Sequence, residues 1–132
     1  MATMSGMPPM LSLKRSAQSG LKAMTVAWQV IYYEDTAASV LAYLFGGAQI
    51  DLTNMQAGDI INLRIRKRMV PLGNLVNHDQ LQYLDAQPAN HPSVSISGIP
   101  NVYGVEIAMQ QTAGVLRTLG TEFYDAKRLG LT

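Results

Sequence analysis

Residues 58–70, GDIINLRIRKRMV, alternate between apolar side chains and polar or basic ones. In an extended chain successive side chains point to opposite faces, so Ile61, Leu63 and Ile65 share one face, which Lys67 interrupts near its end. The positions between them carry a polar residue and three arginines: Asn62, Arg64, Arg66 and Arg68. This period of two predicts a β-strand with one face in an apolar core and one cationic face.

The segment before this strand predicts how the strand begins. Leu52 and Met55 are three positions apart in LTNMQAGD, residues 52–59, so a single helical turn directs both side chains to the same side. We expect them to form a plug at one end of the core. Gly58 then permits the backbone reversal from which the strand starts.

Further short strands are predicted on both sides of this unit. Residues 24–33 alternate, with Val26, Trp28, Val30 and Tyr32 on one face, which predicts a strand with Trp28 in the core. Later segments of strand-like composition are separated by turn-forming residues: LVNHDQLQYL (75–84), SVSISGI (93–99), VYGVEIAMQQ (102–111) and TLGTEFYDAKR (118–128).

Residues 35–47, DTAASVLAYLFGG, fit two structures. Asp35 or Thr36 could cap a short helix closed by Gly46, whereas the alternation of Val40, Ala42 and Leu44 favours a strand. Seven or so short strands without a convincing long helix predict an all-β fold. The two architectures that fit are an antiparallel β-sandwich and a jelly-roll-like barrel.

Methionines recur every third residue at the N-terminus, around Pro8 and Pro9: Met1, Met4, Met7 and Met10. This spacing lines one edge of a polyproline-type extended segment, and methionine fills irregular apolar gaps. We therefore divide the chain into an extended N-terminal arm, residues 1–22, and a β-sandwich domain, residues 23–132. The arm either lies across a neighbouring subunit, through Met4, Met7 and Met10, or is a tail; residues 11–22 are a linker or its continuation.

The charge content points to association. Charged residues make up 14% of the 132 residues and the net charge is +1, against a typical charged fraction of about 25%. Such a surface predicts burial against copies of the chain or another partner, although many Ser, Thr, Asn and Gln residues could also cover a monomer. The absence of cysteine excludes disulfides. The longest uncharged apolar run, residues 36–50, is shorter than the about 20 residues that span a bilayer, and we find no targeting segment.

The order of residues around the plug turn resembles that of β-sandwich structural proteins of viruses. In those proteins a strand ending in D-L-[ST] leads through a short turn to G-D and a long R-I-R strand. The matching residues are Asp51, Leu52, Thr53, Gly58, Asp59, Arg64, Ile65 and Arg66, with VEIAMQQTAG at 105–114 as a second similar strand. The resemblance implies a structural subunit of a virion whose partners are its own copies and other virion subunits. Similar turns occur in carbohydrate-binding sandwiches.

No arrangement of residues specifies a reaction. His78 and His91 have no third ligand at a metal-like spacing and both are expected in loops; the serines lack a nucleophile elbow, and the glycines form no phosphate loop. We therefore predict no enzyme, no cofactor, no metal and no small-molecule substrate. The alternative is a small ligand-binding sandwich such as a carbohydrate-binding module, which needs exposed aromatic side chains; Tyr33 and Tyr103 are the candidates.

The three arginines of the 58–70 strand have two possible partners. Sequence-independent binding of nucleic acid requires an excess of basic residues, but nine acidic residues offset ten basic ones here. Carboxylates on adjacent strands, Glu106 or Glu122, could pair with them instead. We predict that Arg64, Arg66 and Arg68 serve protein contacts, and that nucleic acid is not a partner.

Overall fold

The chain forms ten β-strands in a computed structural model that describes residues 10–35 and 43–129, with side chains for residues 15–34, 45–99 and 103–125. In chain order the strands are β1 Met10–Arg15, β2 Gly20–Ala23, β3 Gln29–Asp35, β4 Tyr43–Asp51, β5 Ile60–Arg68, β6 Leu75–Leu84, β7 Ser93–Ile96, β8 Ile99–Val102, β9 Gly104–Ala113 and β10 Thr118–Leu129.

The strands form two antiparallel sheets. The first has the order β1-β10-β4-β7, with β2 also pairing with β10 and β8 also pairing with β4; the second has the order β3-β9-β5-β6. If β1 with β2, and β7 with β8, are each taken as one interrupted strand, eight strands follow the order 1-8-3-6 in one sheet and 2-7-4-5 in the other. This is the strand order of a jelly roll. The predicted all-β sandwich is confirmed, as two separate sheets rather than a closed barrel.

The strand predicted from residues 58–70 is β5, which lies between β9 and β6 in the second sheet. Ile61, Leu63 and Ile65 are buried, whereas the residues between them are only half-buried. The alternation in the sequence therefore describes the strand correctly. β5 pairs with β9 and β6 along most of its length, so it fixes the positions of the arginines relative to both neighbours.

The predicted plug is also present. Leu52 and Met55 are each 1% exposed, and the Met55 amide donates a 3.1 Å hydrogen bond to the Leu52 carbonyl, which closes the turn between them. Gly58 has φ of +89°, in the region that favours glycine. Because β4 and β5 belong to different sheets, this segment carries the chain across the end of the core, and its two apolar side chains fill that end.

The centre of the core is an aromatic cluster. Tyr32 from the second sheet packs between Phe45 and Phe123 from the first, with ring centroids 5.1 and 4.9 Å apart. The Tyr32 hydroxyl donates a hydrogen bond to the Asp125 carboxylate at 2.5 Å, so the polar end of this buried ring has a partner. The cluster joins the two sheets.

The strand predicted at residues 24–33 is corrected in two respects. β3 begins only at Gln29, and Val26 and Val30 are exposed, at 66% and 52%. The pairing of β3 with β9 shifts register between Val30 and Tyr32, so that Ile31 and Tyr32 are both buried. A β-bulge of this kind exchanges the buried and exposed faces for the residues that follow it. The alternation of the sequence does not reveal where such a bulge occurs.

Residues 11–22 are not a linker or a continued arm. β1 pairs with β10 over Met10–Arg15, and β2 pairs with β10 over Gly20–Ala23. β10 has twelve residues and is long enough to hold both short strands along one side. An arm therefore stays a prediction only for residues 1–9, which lie outside the described residues. Of the segment 35–47, residues 43–47 are in a strand, as favoured, and 36–42 lie outside the described residues.

Candidate interaction surface

The arginines of β5 project from the outer face of the β3-β9-β5-β6 sheet, and each is held by neighbours in the same chain. The Arg64 guanidinium lies 4.4 Å from the centre of the Trp28 ring, and one of its nitrogens is 3.7 Å from Glu106. Trp28 is half-buried under this cation, not in the core as predicted. It immediately precedes β3, and its ring face meets the guanidinium of Arg64 in a cation–π contact.

Arg66 makes the strongest of these contacts. Its Nε donates a 2.9 Å hydrogen bond to Oε1 of Glu106, and a terminal nitrogen forms an ion pair with the same oxygen at 2.7 Å. Arg66 and Glu106 are directly opposite each other on β5 and β9, and Glu106 is 7% exposed. One nearly buried carboxylate therefore forms ion pairs with two arginines. The predicted cross-strand pairing with Glu106 is confirmed, whereas Glu122 pairs with Arg15 instead, at 2.6 Å.

Arg68 lies at the end of β5. It donates one hydrogen bond to the Gly73 carbonyl in the β5–β6 turn and another, of 3.2 Å, to the Tyr33 hydroxyl. Tyr33 is exposed, as predicted, and its hydroxyl is held by Arg68. The side chains of Arg64 and Arg66 are 22% and 32% exposed. Guanidiniums that are fixed and partly covered in this way present few donors to a phosphate backbone.

Amide side chains continue the same face toward the other end of the sheet. Gln82 on β6 donates to Asn62 on β5 at 3.0 Å, and Asn62 donates to Gln110 on β9 at 3.1 Å. Gln110 in turn donates to the Val26 carbonyl at 3.3 Å. The outer face of this sheet is therefore a connected polar network, which fixes the strands relative to each other.

Exposed apolar side chains concentrate in the β5–β6 hairpin. Half of the large hydrophobic residues that are exposed in the described part of the chain lie between residues 69 and 84: Met69, Val70, Leu72, Val76, Leu81 and Leu84. Leu72 has φ of +60°, which is strained for a leucine, and the Gly73 amide closes its turn onto the Val70 carbonyl at 3.1 Å. The sequence signal for this surface is the uncharged run MVPL at 69–72.

The outer face of the first sheet carries a shallow groove of about 440 Å³. Its side walls include Leu21, Gln49, Asp51, Ser93 and Glu122, and its lining contains no aromatic side chain. The polar lining could bind hydroxyl groups, but Glu122 is engaged by Arg15, and Asp51 accepts hydrogen bonds from Thr53. The groove lacks the stacking platform that a sugar-binding face would use.

A buried ion pair closes the plug end of the sandwich. Arg117 donates to Asp59 through Nε at 2.7 Å and through a terminal nitrogen at 3.3 Å, and the Gln56 amide donates to the same carboxylate at 2.9 Å. The hydrogen bond from Arg117 holds the pKa of Asp59 below its ordinary value, although burial acts in the opposite direction. Asp59 packs so closely on Gly114 that a Cβ there would lie 1.9 Å from its carboxylate. The pair fixes two loops to each other.

The remaining predicted residues are placed as follows. His78 is exposed within β6 rather than in a loop, and His91 is exposed in a turn. Tyr103 is half-buried. Within residues 10–35 and 43–129, no three His, Asp or Glu side chains are grouped as a metal site would need. In the same ranges no helix is long and apolar enough to cross a membrane. Met4 and Met7 lie outside the described residues, and Met10 begins β1.

The strand order places the chain in the class of jelly-roll β-sandwiches. Several solved structures are similar to it in fold. One is PirA, with a TM-score of 0.56 and 10% identity, covering 83% of this chain and 94% of PirA. A second is the structure of the infectious bursal disease virus VP2 subviral particle, with a TM-score of 0.53 and 9% identity. A third is the structure of the Gx strain of infectious bursal disease virus, with a TM-score of 0.54 and 11% identity.

The two viral matches each cover 89% of this chain and 32% of the larger one, so the chain spans about a third of their length. The predicted resemblance to viral β-sandwich proteins is confirmed as a likeness of fold. No protein-family model matches the sequence. No curated protein matches it either.

Proposed function

We propose that this chain is a non-enzymatic structural subunit of a viral particle, as a capsid, decoration or tail component located in the virion. It assembles through contacts between its own copies and with other virion subunits. The observation that carries the proposal is the concentration of exposed apolar side chains in residues 69–84 of a chain with 14% charged residues. Exposed apolar residues scattered singly need no explanation, whereas several exposed together, such as Met69, Val70 and Leu72 in one turn, are typical of a contact surface.

The viral part of the proposal is supported by the likeness of fold to the VP2 subviral particle. PirA has a similar fold as well. The association part is independent of the likeness, because it depends on the surface of this chain.

The test of association is the mass of the purified full-length protein, measured by multi-angle light scattering over a range of concentrations. We expect a defined oligomer or a larger shell rather than a single chain of 14.4 kDa. A monodisperse monomer at high micromolar concentration would contradict the proposal.

The N-terminal arm provides a second test. Because β1 and β2 are strands of the first sheet, the deletion should stop at residue 9 and leave the sandwich complete. If Met4 and Met7 pack on a neighbouring subunit, removal of residues 1–9 lowers the assembled fraction and leaves the far-ultraviolet circular dichroism unchanged. Equal assembly with and without these residues would assign them to a tail.

The second candidate function is a ligand-binding sandwich, such as a carbohydrate-binding module, and the observation in its favour is the polar groove of the first sheet. In that case a glycan array gives specific binding that Gln49→Ala abolishes, because the Gln49 side chain lines the groove. The lack of an aromatic side chain in its lining makes this the weaker candidate.

A further inference from the structure

The edges of the two sheets differ in how they are protected. An edge strand exposes a row of backbone donors and acceptors that another strand can pair with, so proteins interrupt, cover or charge such edges. At the β3 edge the Gln18 side chain acts as a substitute strand. Its Nε2 donates to the Tyr33 carbonyl and its Oε1 accepts from the Tyr33 amide, both at 2.9 Å.

Both edges of the first sheet are interrupted. One consists of β1 and β2, of six and four residues, separated by the turn at residues 16–19. The other consists of β7 and β8, of four residues each, and Pro100 within β8 has no amide hydrogen to donate. Neither edge offers a long uninterrupted row of backbone groups.

The β6 edge is longer and less interrupted, although His78 forms a bulge in it and the Asp79 carboxylate accepts a 2.8 Å hydrogen bond from the Gln80 amide. β6 has ten residues, LVNHDQLQYL, with no proline, lysine or arginine, and Asp79 is its one acidic residue. It pairs with β5 on one side, and no strand in the described part of the chain pairs with its other side. Eight of its ten residues are exposed. A long edge left open in this way, beside exposed apolar side chains, fits a β-strand partner.

We propose that β6 pairs antiparallel with β6 of a second copy about a two-fold axis, joining the two β3-β9-β5-β6 sheets into one continuous sheet. This inference rests on the proposed self-association and names its surface and register. A two-fold interface requires a strand that is complementary to itself, because each residue that contacts a partner residue is contacted by the same residue in return.

The register follows from the pairing of β6 with β5. Nine positions of β6 are paired, and His78 is skipped as a bulge between Asn77 and Asp79. The middle position of the nine is Gln80, so full overlap places the axis there and Gln80 opposite itself. The other four pairs then keep side chains of the same face together: Leu75 with Leu84, Val76 with Tyr83, Asn77 with Gln82, and Asp79 with Leu81.

In this register no like charges lie opposite each other, and most apolar side chains of β6 pair with apolar side chains. Asp79 faces Leu81 rather than its own copy, so no like charges are opposed, which would destabilise the pairing. The apolar pairs lie at both ends of the interface. Since Leu75 lies opposite Leu84, the 69–74 turn of each copy lies beside residues 85 and 86 of the other. The exposed side chains of Met69, Val70 and Leu72 are therefore next to the partner.

Cysteine cross-linking tests the register directly, because the chain contains no cysteine. Opposed residues of an antiparallel pair have Cβ atoms about 4.5 to 5.5 Å apart, close to the spacing that a disulfide spans. Under mild oxidation, Gln80→Cys should form a covalent dimer on a non-reducing gel. Gln82→Cys is the matched control, because the two copies of residue 82 are about four positions, or about 13 Å, apart.

A mixture provides the complementary result. Gln82→Cys and Asn77→Cys are each expected to stay uncross-linked alone, whereas an equimolar mixture of the two forms a covalent heterodimer. Charge gives a second readout that does not depend on oxidation. Gln80→Lys and Gln80→Glu each oppose like charges on the axis and lower the oligomer fraction, and mixing the two variants restores it.

The outcomes separate this inference from the proposed function. If the wild type is an oligomer by light scattering but Gln80→Cys gives no more dimer than Gln82→Cys, the β6 pairing is wrong and self-association stands through another surface. Equal cross-linking of both single variants likewise overturns the register. If the wild type is a monomer and Gln80→Cys gives no dimer, both proposals are overturned.

Discussion

Two methionines of this chain are placed to measure how much the plug turn stabilises the fold. Met55 is 1% exposed at the end of the core, and Met69 is 58% exposed in the β5–β6 turn. Methionine to alanine is the same chemical change at both positions. We therefore expect Met55→Ala to destabilise the protein strongly and Met69→Ala to have little effect on the monomer.

The magnitude follows from burial and chain length. Truncating a buried methionine to alanine costs about 2 to 5 kcal/mol of unfolding free energy, because apolar contact is lost and a cavity remains. Unfolding entropy near the midpoint is about 2.1 cal/mol/K per residue, or about 0.28 kcal/mol/K for 132 residues. Met55→Ala should therefore lower Tm by about 7 to 18 °C. Met69→Ala should change it by less than about 2 °C, since exposed substitutions stay within about 0.5 kcal/mol.

Differential scanning calorimetry and urea titration of both variants and the wild type measure these differences. Because assembly stabilises the folded state by mass action, all three proteins are compared at matched concentrations and at high dilution. If Met55→Ala melts within about 2 °C of the wild type at high dilution, the plug does not stabilise the core and the reasoning from its burial is refuted.

Two further predictions concern charge. Arg117→Met removes the cation that lowers the pKa of Asp59, leaving a buried carboxylate whose pKa rises. In the wild type, Asp59 stabilises the fold above its unfolded pKa of about 3.8, and this is lost as pH falls through the lower folded pKa. The difference in Tm between the wild type and Arg117→Met should therefore be largest near pH 7 and should shrink below about pH 4. Arg15→Met, which breaks an exposed ion pair, should give a smaller difference. A difference that does not change with pH would contradict this reasoning. Arg64, Arg66 and Arg68 can be replaced together by glutamine. This triple variant should have a lower Tm, because Glu106 loses its cations. We expect the wild type and the triple variant to retain nucleic acid equally, and only at background level. Filter binding at about 0.15 M salt tests this, since each phosphate contact steepens the salt dependence by about 0.9 in log affinity, and tight wild-type binding that the triple variant loses would identify a nucleic-acid face.

Features that depend only on neighbouring residues could be predicted from the sequence. The alternation of Ile61, Leu63 and Ile65 identified β5 and its buried face, because a strand's side chains alternate whatever it pairs with. The spacing of Leu52 and Met55 identified the plug for a similar reason, since one turn of backbone brings both to one side. The segment 75–84 coincides with β6, bounded by turn-forming residues.

Which strands are neighbours, and therefore which residues the site residues contact, follows only from the packing of the whole chain. Pairing with Glu106 or Glu122 was open in the sequence, and Arg66 meets Glu106 because β9, not β10, lies beside β5. The bulge in β3 and the position of Trp28 beneath Arg64 depend on β9 and β5 in the same way. The open edge of β6 follows from its place at the end of the sheet. Contacts between distant residues are set by packing of the whole chain, and no short pattern encodes them.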